Sequence, residues 1–395
     1  MNDHPVLGQV VLGYAPMIDR NLAVSALRLT LFPIRPEAAP DARELLDALV
    51  AAWPSDAGRL CLNVVGESLL AAMLGAELPG HLMIELPAFL ASDPAHADAL
   101  MALHRRGTTL LIKGRLLLPL GPALEPCFSH SIVDQASDQA DAFGPALSRS
   151  EVLAGVRTMA QMAQAFGRGA SAVMGWPIDD LVPACGPGGR GARPELTTVV
   201  ELINRVEREE SIERIEAVIK HDPTLAFKLM RYLNASAFGL SVELSSLRHA
   251  IMMLGYQRLK RWLVLLLAAG HGERQLKPVV YAAVRRGLLM EALGRASGFD
   301  EDHRAELFIC GVFSLLDRLM RQPLDELLRS IPASAAVRAA LLDAQGPHQP
   351  YLALVQAIES SAVHDIRAVA ESLLMTLCAV NRAVLWTLVA ARQLD

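Results

Sequence analysis

The side chains best equipped for chemistry are scattered along the chain. Cys61, Cys127, Cys185, Cys310 and Cys378 are odd in number, far apart and never form a Cys-x-x-Cys pair. That spacing argues against both a disulfide framework and a structural zinc site, and predicts buried thiols in a reducing compartment. The stretch Pro183 to Pro194 (PACGPGGRGARP) concentrates glycine, the residue that lets backbone amides cradle phosphate. It lacks the Lys-Ser/Thr pair and the flanking strand that a P-loop needs, and reads as a linker. Arg258, Lys260 and Arg261 beside Trp262 suggest a nucleic-acid patch, but at helical spacing they fit a solvated face next to a buried Trp. His221 and His303 lie beside Asp222 and Asp302 and read as helix-end residues, and His249 reads as half-exposed.

Something must position whatever chemistry there is. At 395 residues the chain is long enough for two or three domains, each with its own core. A net charge of -5 supplies no basic face for a nucleic-acid backbone. Apolar residues reach 52% and aromatics only 5%, a Leu- and Ala-rich skew that favours helices packed on helices or on a covered sheet. The start MNDHPVLG lacks a basic, then apolar, secretory pattern. The longest apolar run, Trp262 to Ala269, falls short of the roughly 20 residues a membrane span needs. A cytoplasmic protein without membrane insertion is expected.

The Gly/Pro stretch separates two kinds of periodicity. Before it, runs of strand length (Gly8 to Ile18, Val24 to Phe32, Arg59 to Val64, Leu82 to Leu86, Thr108 to Ile112, Ser129 to Asp134, Ala170 to Met174) alternate with helical patterns. The helices expected are Asp41 to Trp53, Gly66 to Leu74, Pro94 to Arg106 and Ser150 to Phe166. Alternation of this kind implies a parallel sheet with crossover helices, closed as a (β/α) barrel. Prolines 119, 122, 126 and 145 suggest that the barrel is incomplete or distorted between Lys113 and Glu151. After the linker, Glu195 to Arg208, Ser211 to His221, Pro223 to Ala235, Ser245 to Leu254, Tyr256 to Gly270 and Pro278 to Ser297 all repeat at three- and four-residue spacing. The class is therefore α/β plus all-α, with domains at 1–182 and 195–395 joined by a linker at 183–194.

The segment Ile219 to Gly239 (IKHDPTLAFKLMRYLNASAFG), continued by Leu244 to Gly255 (LSSLRHAIMMLG), resembles the signature region of HDOD domains. The residues that carry it are Asp222, Pro223, Leu225, Asn234, Ala250, Leu254 and Gly255. Each has a structural reason: Asn234 at a helix end, Gly255 at a positive φ, and Ala250 and Leu254 on a core face. HDOD domains are relatives of HD phosphohydrolases, whose His and Asp ligands hold metal. Where the resemblance would put that His-Asp pair, the chain has Ser314 and Leu315. A literal His364-Asp365 pair comes too late in the chain and reads as an exposed helix end.

The opening Gly13 to Leu22 (GYAPMIDRNL), then Cys61-Leu-Asn63, Ile84-Glu85-Leu86 and Met174-Gly-Trp-Pro177, resemble EAL phosphodiesterases of cyclic-di-GMP in order. The resemblance implies a TIM-like barrel with carboxylates and an Asn holding metal at the C-terminal strand ends. It places the Glu of the E-A-L motif on Arg28 and an Asp-Asp pair on Lys113-Gly114. Asn63, Glu85 and Asp134 are kept. A vestigial pocket of Asn63, Glu85, Asp134, Arg28 and Lys113, with no catalytic residue, metal or cofactor, is the expectation. It implies a catalytically inactive signalling scaffold that binds a protein partner through a degenerate EAL domain and an HDOD domain. The alternative is a cyclic-di-GMP sensor that binds without cleaving. Nucleic acid is not an expected partner, and assembly is left open, a homodimer included.

Overall fold

The computed structural model describes residues 4–35, 37–116, 119–135, 150–180, 194–220, 225, 229, 247–269, 274–331 and 333–390. The chain divides into two compact units. One is made of Met1–Leu181, Lys277–Ala282 and Ala353–Arg392, the other of Val182–Leu276, Ala283–Leu352 and Gln393–Asp395.

The first unit holds a closed barrel of eight strands in sequence order. They are β1 (Val10–Asp19), β2 (Val24–Pro33), β3 (Arg59–Val64), β4 (Leu82–Pro87), β5 (Thr109–Lys113), β6 (Phe128–Asp134), β7 (Ser150–Val156) and β8 (Ala172–Gly175). Strands β2 to β8 are mutually parallel, while β1 is antiparallel to both β2 and β8. The reversal has a local cause: only Arg20–Ala23 join β1 to β2, too few residues for a crossover. Asp19 tightens the turn, its carboxylate accepting from the Asn21 and Ala23 amides at 2.8 and 2.9 Å. Strands β3 and β4 are buried almost throughout, as expected of parallel strands covered on both faces.

Two expectations are corrected in this unit. The barrel closes, because β6 pairs with β5, across an irregularity between Leu110 and Leu111, and with β7. The helix expected over Ser150 to Phe166 is instead the strand β7 followed by a helix at Met159–Gly167. Gly155, at φ 81°, interrupts any helix there. The helix starts on a capping box, in which the Thr158 hydroxyl accepts from the Gln161 amide and the Gln161 side chain reaches back to the Thr158 amide.

The second unit is helical among its described residues. Pro194–Glu207, Ile212–Lys220 and Glu301–Phe313 form regular helices. Ser245 to Leu254 and Tyr256 to Gly270, expected as separate helices, are separate over their described residues: the helix ends at Gly255, with φ 70° and ψ 169°, and a second one continues to Ala269. Only a glycine takes that conformation without strain. Leu225 and Leu254 are buried there, and Ala250 lies in the first of these two helices. Asp222, Pro223 and Asn234 lie outside the described residues.

The residues from Ala353 onward differ from the expected 195–395 domain, since Ala353–Arg392 cluster with the barrel. Asn381 ties this segment to the barrel, donating to the carbonyls of Leu7 and Val10 and accepting from the Leu12 amide. Among the described residues no single helix is long and apolar enough to cross a membrane.

Candidate functional site at the barrel mouth

Side chains alternate faces along a strand, so residues two apart share a face. On five consecutive strands an apolar, buried residue is followed two positions later by a polar one: Ala26 by Arg28, Cys61 by Asn63, Met83 by Glu85, Leu111 by Lys113, and Ile132 by Asp134. Ala26, Cys61, Met83, Leu111 and Ile132 belong to one core cluster. The five polar residues therefore form the next rung, toward the C-terminal ends of the parallel strands. These are the five residues expected in the vestigial pocket, and they come together.

Two of the contacts skip a strand and so cross the barrel interior. Arg28 on β2 grips Glu85 on β4 with both arms of its guanidinium, Nε to Oε1 at 2.7 Å and Nη2 to Oε2 at 2.5 Å. Glu85 is 1% exposed. The Cys61 thiol donates to Glu85 Oε1 at 3.4 Å from the strand between them. Lys113 on β5 donates to Asn63 Oδ1 on β3 at 3.3 Å, and Asn63 Nδ2 donates to Thr30 Oγ1 at 3.2 Å. Asp134 is at the end of β6, where Gly155 makes room: a Cβ at Gly155 would lie 3.0 Å from Asp134 Oδ1.

Electrostatics follow from this wiring. Burial works against the Arg28 charge, but the Glu85 carboxylate and its hydrogen bonds outweigh it, with help from Cys61 and Asp134, and raise the guanidinium's pKa. Burial first, then repulsion by Arg28, lowers the Lys113 ammonium below its ordinary value, while Glu85 and Asp134 pull the other way. Burial and the adjacent Glu85 push the Cys61 thiol well up, so it is a core donor and not a nucleophile.

Divalent metals need several free oxygen ligands. Here both Glu85 oxygens are taken by Arg28, the Asn63 oxygen accepts from Lys113, and two cations share the rung with Asp134. The residues present do not fit a two-metal centre. Sequence reasoning passed over Thr30 and the direct role of Cys61. The same two-residue alternation, continued one step past Arg28 and one step before Asn63, points to both.

In the helical unit, Ser314 Oγ accepts from Arg286 Nη1 at 3.0 Å and donates to the Gly311 carbonyl at 2.7 Å, and Leu315 is buried. Burial and then Glu306 push the Cys310 thiol up to about 12. Cys61 and Cys127 are buried as expected, Cys378 is only half-buried, and Cys185 lies outside the described residues. His364 and Asp365 are exposed at the start of the helix Val363–Ser372. His303 caps with Asp300 at the start of Glu301–Phe313, while His221 and the side chain of His249 lie outside the described residues. Of the basic cluster, Lys260 pairs with Glu207 and Arg261 with Glu291, beside a buried Trp262.

The chain is 30% identical over 167 residues to the uncharacterized protein YuxH of Bacillus subtilis, covering 41% of this chain and 40% of that protein. It is 27% identical over 173 residues to the cyclic di-GMP phosphodiesterase CdgJ of Vibrio cholerae, covering 44% of this chain and 40% of that one. The chain thus spans about 40% of the length of these curated relatives. The family model of the HDOD domain matches residues 194–326, so the helical region contains an HDOD domain.

Proposed function

We propose that this chain is a non-catalytic cytoplasmic signalling protein, in which a degenerate EAL barrel supports an HDOD domain that binds a protein partner. The observation that carries this reading is the Arg28–Glu85 pair. A guanidinium fixed on a buried carboxylate supplies, from within the chain, the positive charge a metal would bring, and it leaves no acidic oxygen of Glu85 to bind one. The Vibrio relative is named a cyclic di-GMP phosphodiesterase. The test is to incubate the full-length chain with cyclic-di-GMP and magnesium or manganese. Product at the level of the protein-free control is expected, and linear dinucleotide above that level overturns the reading. For the binding role, one reproducible protein partner should co-purify with the full chain, and none under several conditions counts against it.

A second reading is favoured by Lys113. Its residue is exposed at the mouth although its ammonium is part-buried against Asn63, and that hydrogen bond goes to a neutral amide, leaving an ammonium that can meet a phosphate. On this reading the barrel binds cyclic-di-GMP without cleaving it. Calorimetry decides: absence of heat at micromolar nucleotide removes the reading for that ligand.

A further inference from the structure

Strand β1 runs over Val10–Asp19 but pairs with β8 only through Met17, Ile18 and Asp19. Along Val10 to Tyr14 the edge facing away from β2 has no strand beside it among the described residues, although Val10, Val11, Leu12 and Tyr14 are buried. Buried backbone groups on an open edge need partners. The partners come from the other end of the chain. Asn381, wholly buried in the helix Leu377–Ala390, accepts from the Leu12 amide at 3.2 Å and donates to the carbonyls of Leu7 at 2.7 Å and Val10 at 2.8 Å. A carboxamide both donates and accepts, so one side chain can satisfy both kinds of backbone group. The Trp176 indole donates to the Tyr14 carbonyl at 3.2 Å. Gly13 lies so close to Ser361 that a Cβ there would come within 2.3 Å of its Oγ and 2.9 Å of its Cβ.

We infer that the helices Val363–Ser372 and Leu377–Ala390 are a strap over the edge of β1 that β8 leaves open, with Asn381 standing in for a strand partner there. The HDOD match ends at residue 326, so the strap lies outside it and belongs to the barrel. On this view the barrel unit is discontinuous in sequence, and the edge of β1 that β8 leaves open is satisfied by a residue 369 positions along the chain from Leu12.

Hydrogen exchange of the full-length chain tests the strap. In Asn381→Ala, amides from Leu7 to Tyr14 should exchange roughly tenfold faster or more, with β4 unchanged. Unchanged exchange in β1 overturns the inference. If exchange rises across the whole barrel, a second pair of variants decides. Gly13→Ala should lower the unfolding midpoint, and Ser361→Gly should restore at least half of that loss when its own effect is subtracted. Ser361 has φ 56°, so glycine suits its backbone. Strict additivity of these two substitutions overturns the strap, and coupling supports it.

Discussion

Two arginine–glutamate pairs, one in each unit, meet the same problem with different completeness. In the barrel, Arg28 spans both oxygens of Glu85, whose side chain has 0% exposure, and Cys61 adds a third donor. In the helical unit, Arg261 reaches only one oxygen of Glu291, at 2.8 Å. Its guanidinium sits 4.3 Å from the centre of the Phe308 ring, and its side chain keeps 32% of its exposure. The second Glu291 oxygen is buried without a hydrogen-bond partner among the described residues. A two-armed pair consumes the carboxylate, whereas a single-armed pair leaves half of it unspent. The barrel pair should therefore matter most for stability and be chemically silent, and the helical pair should matter less.

The largest effect tests that ranking directly. Arg28→Ala strands a buried carboxylate and should cost about 3–5 kcal/mol, read as a lowered urea midpoint at unchanged slope. Arg28→Met combined with Glu85→Leu removes both charges and should recover most of the loss. A cost below about 1 kcal/mol for the single substitution would make this pair no stronger than a surface one. Arg261→Ala comes next, at about 1–2 kcal/mol, from one charge-assisted bond and one ring contact. If it costs more than Arg28→Ala, the comparison is reversed.

How much of this was legible in the sequence follows from the same chemistry. Seven of the eight strands, and the five polar residues of the rung, were within reach because period-two alternation and the family motifs point to the same positions. Strand β7 was not, because Ala154 and the neighbouring Leu153 and Met159 resemble a helix face. Its signals were Gly155 and the Thr158–Gln161 capping box. The antiparallel β1 was hidden in a connection length, Arg20–Ala23. The Arg28–Glu85 bond was not readable, since residues 57 apart meet only once the barrel closes. Nor was Asn381, which looks like any polar residue in an apolar helix until its partners at Leu7, Val10 and Leu12 are known.

Smaller effects sharpen the picture of the barrel's charges. Lys113 is held below its ordinary value of 10.5 by burial and then by Arg28. Between its folded value and 10.5 the unfolded chain binds more protons, so its contribution to stability grows as pH rises through that window. Lys113→Met should flatten the alkaline rise. In an Arg28→Met background the Lys113 ammonium should titrate higher, as followed by NMR of the side chain. No movement would mean that Arg28's charge is fully neutralised by Glu85 and does not reach Lys113.

The smallest expected effect lies on the strand β6, away from the ion pair. His130 is held below 6.5, first by burial and then by Arg59, and its Nδ1 lies 3.0 Å from the Ser129 hydroxyl. Its folded pKa is depressed, so its contribution is fully present above pH 6.5 and is lost as pH falls through the folded value. His130→Asn should therefore give a shallower loss of unfolding midpoint on the acid side than the parent chain. Arg59→Met should bring the folded value back toward 6.5 and so shrink that loss, though by less than His130→Asn does, because burial is the larger cause. Equal acid limbs in the parent chain and His130→Asn would assign the acid sensitivity of the barrel to its carboxylates.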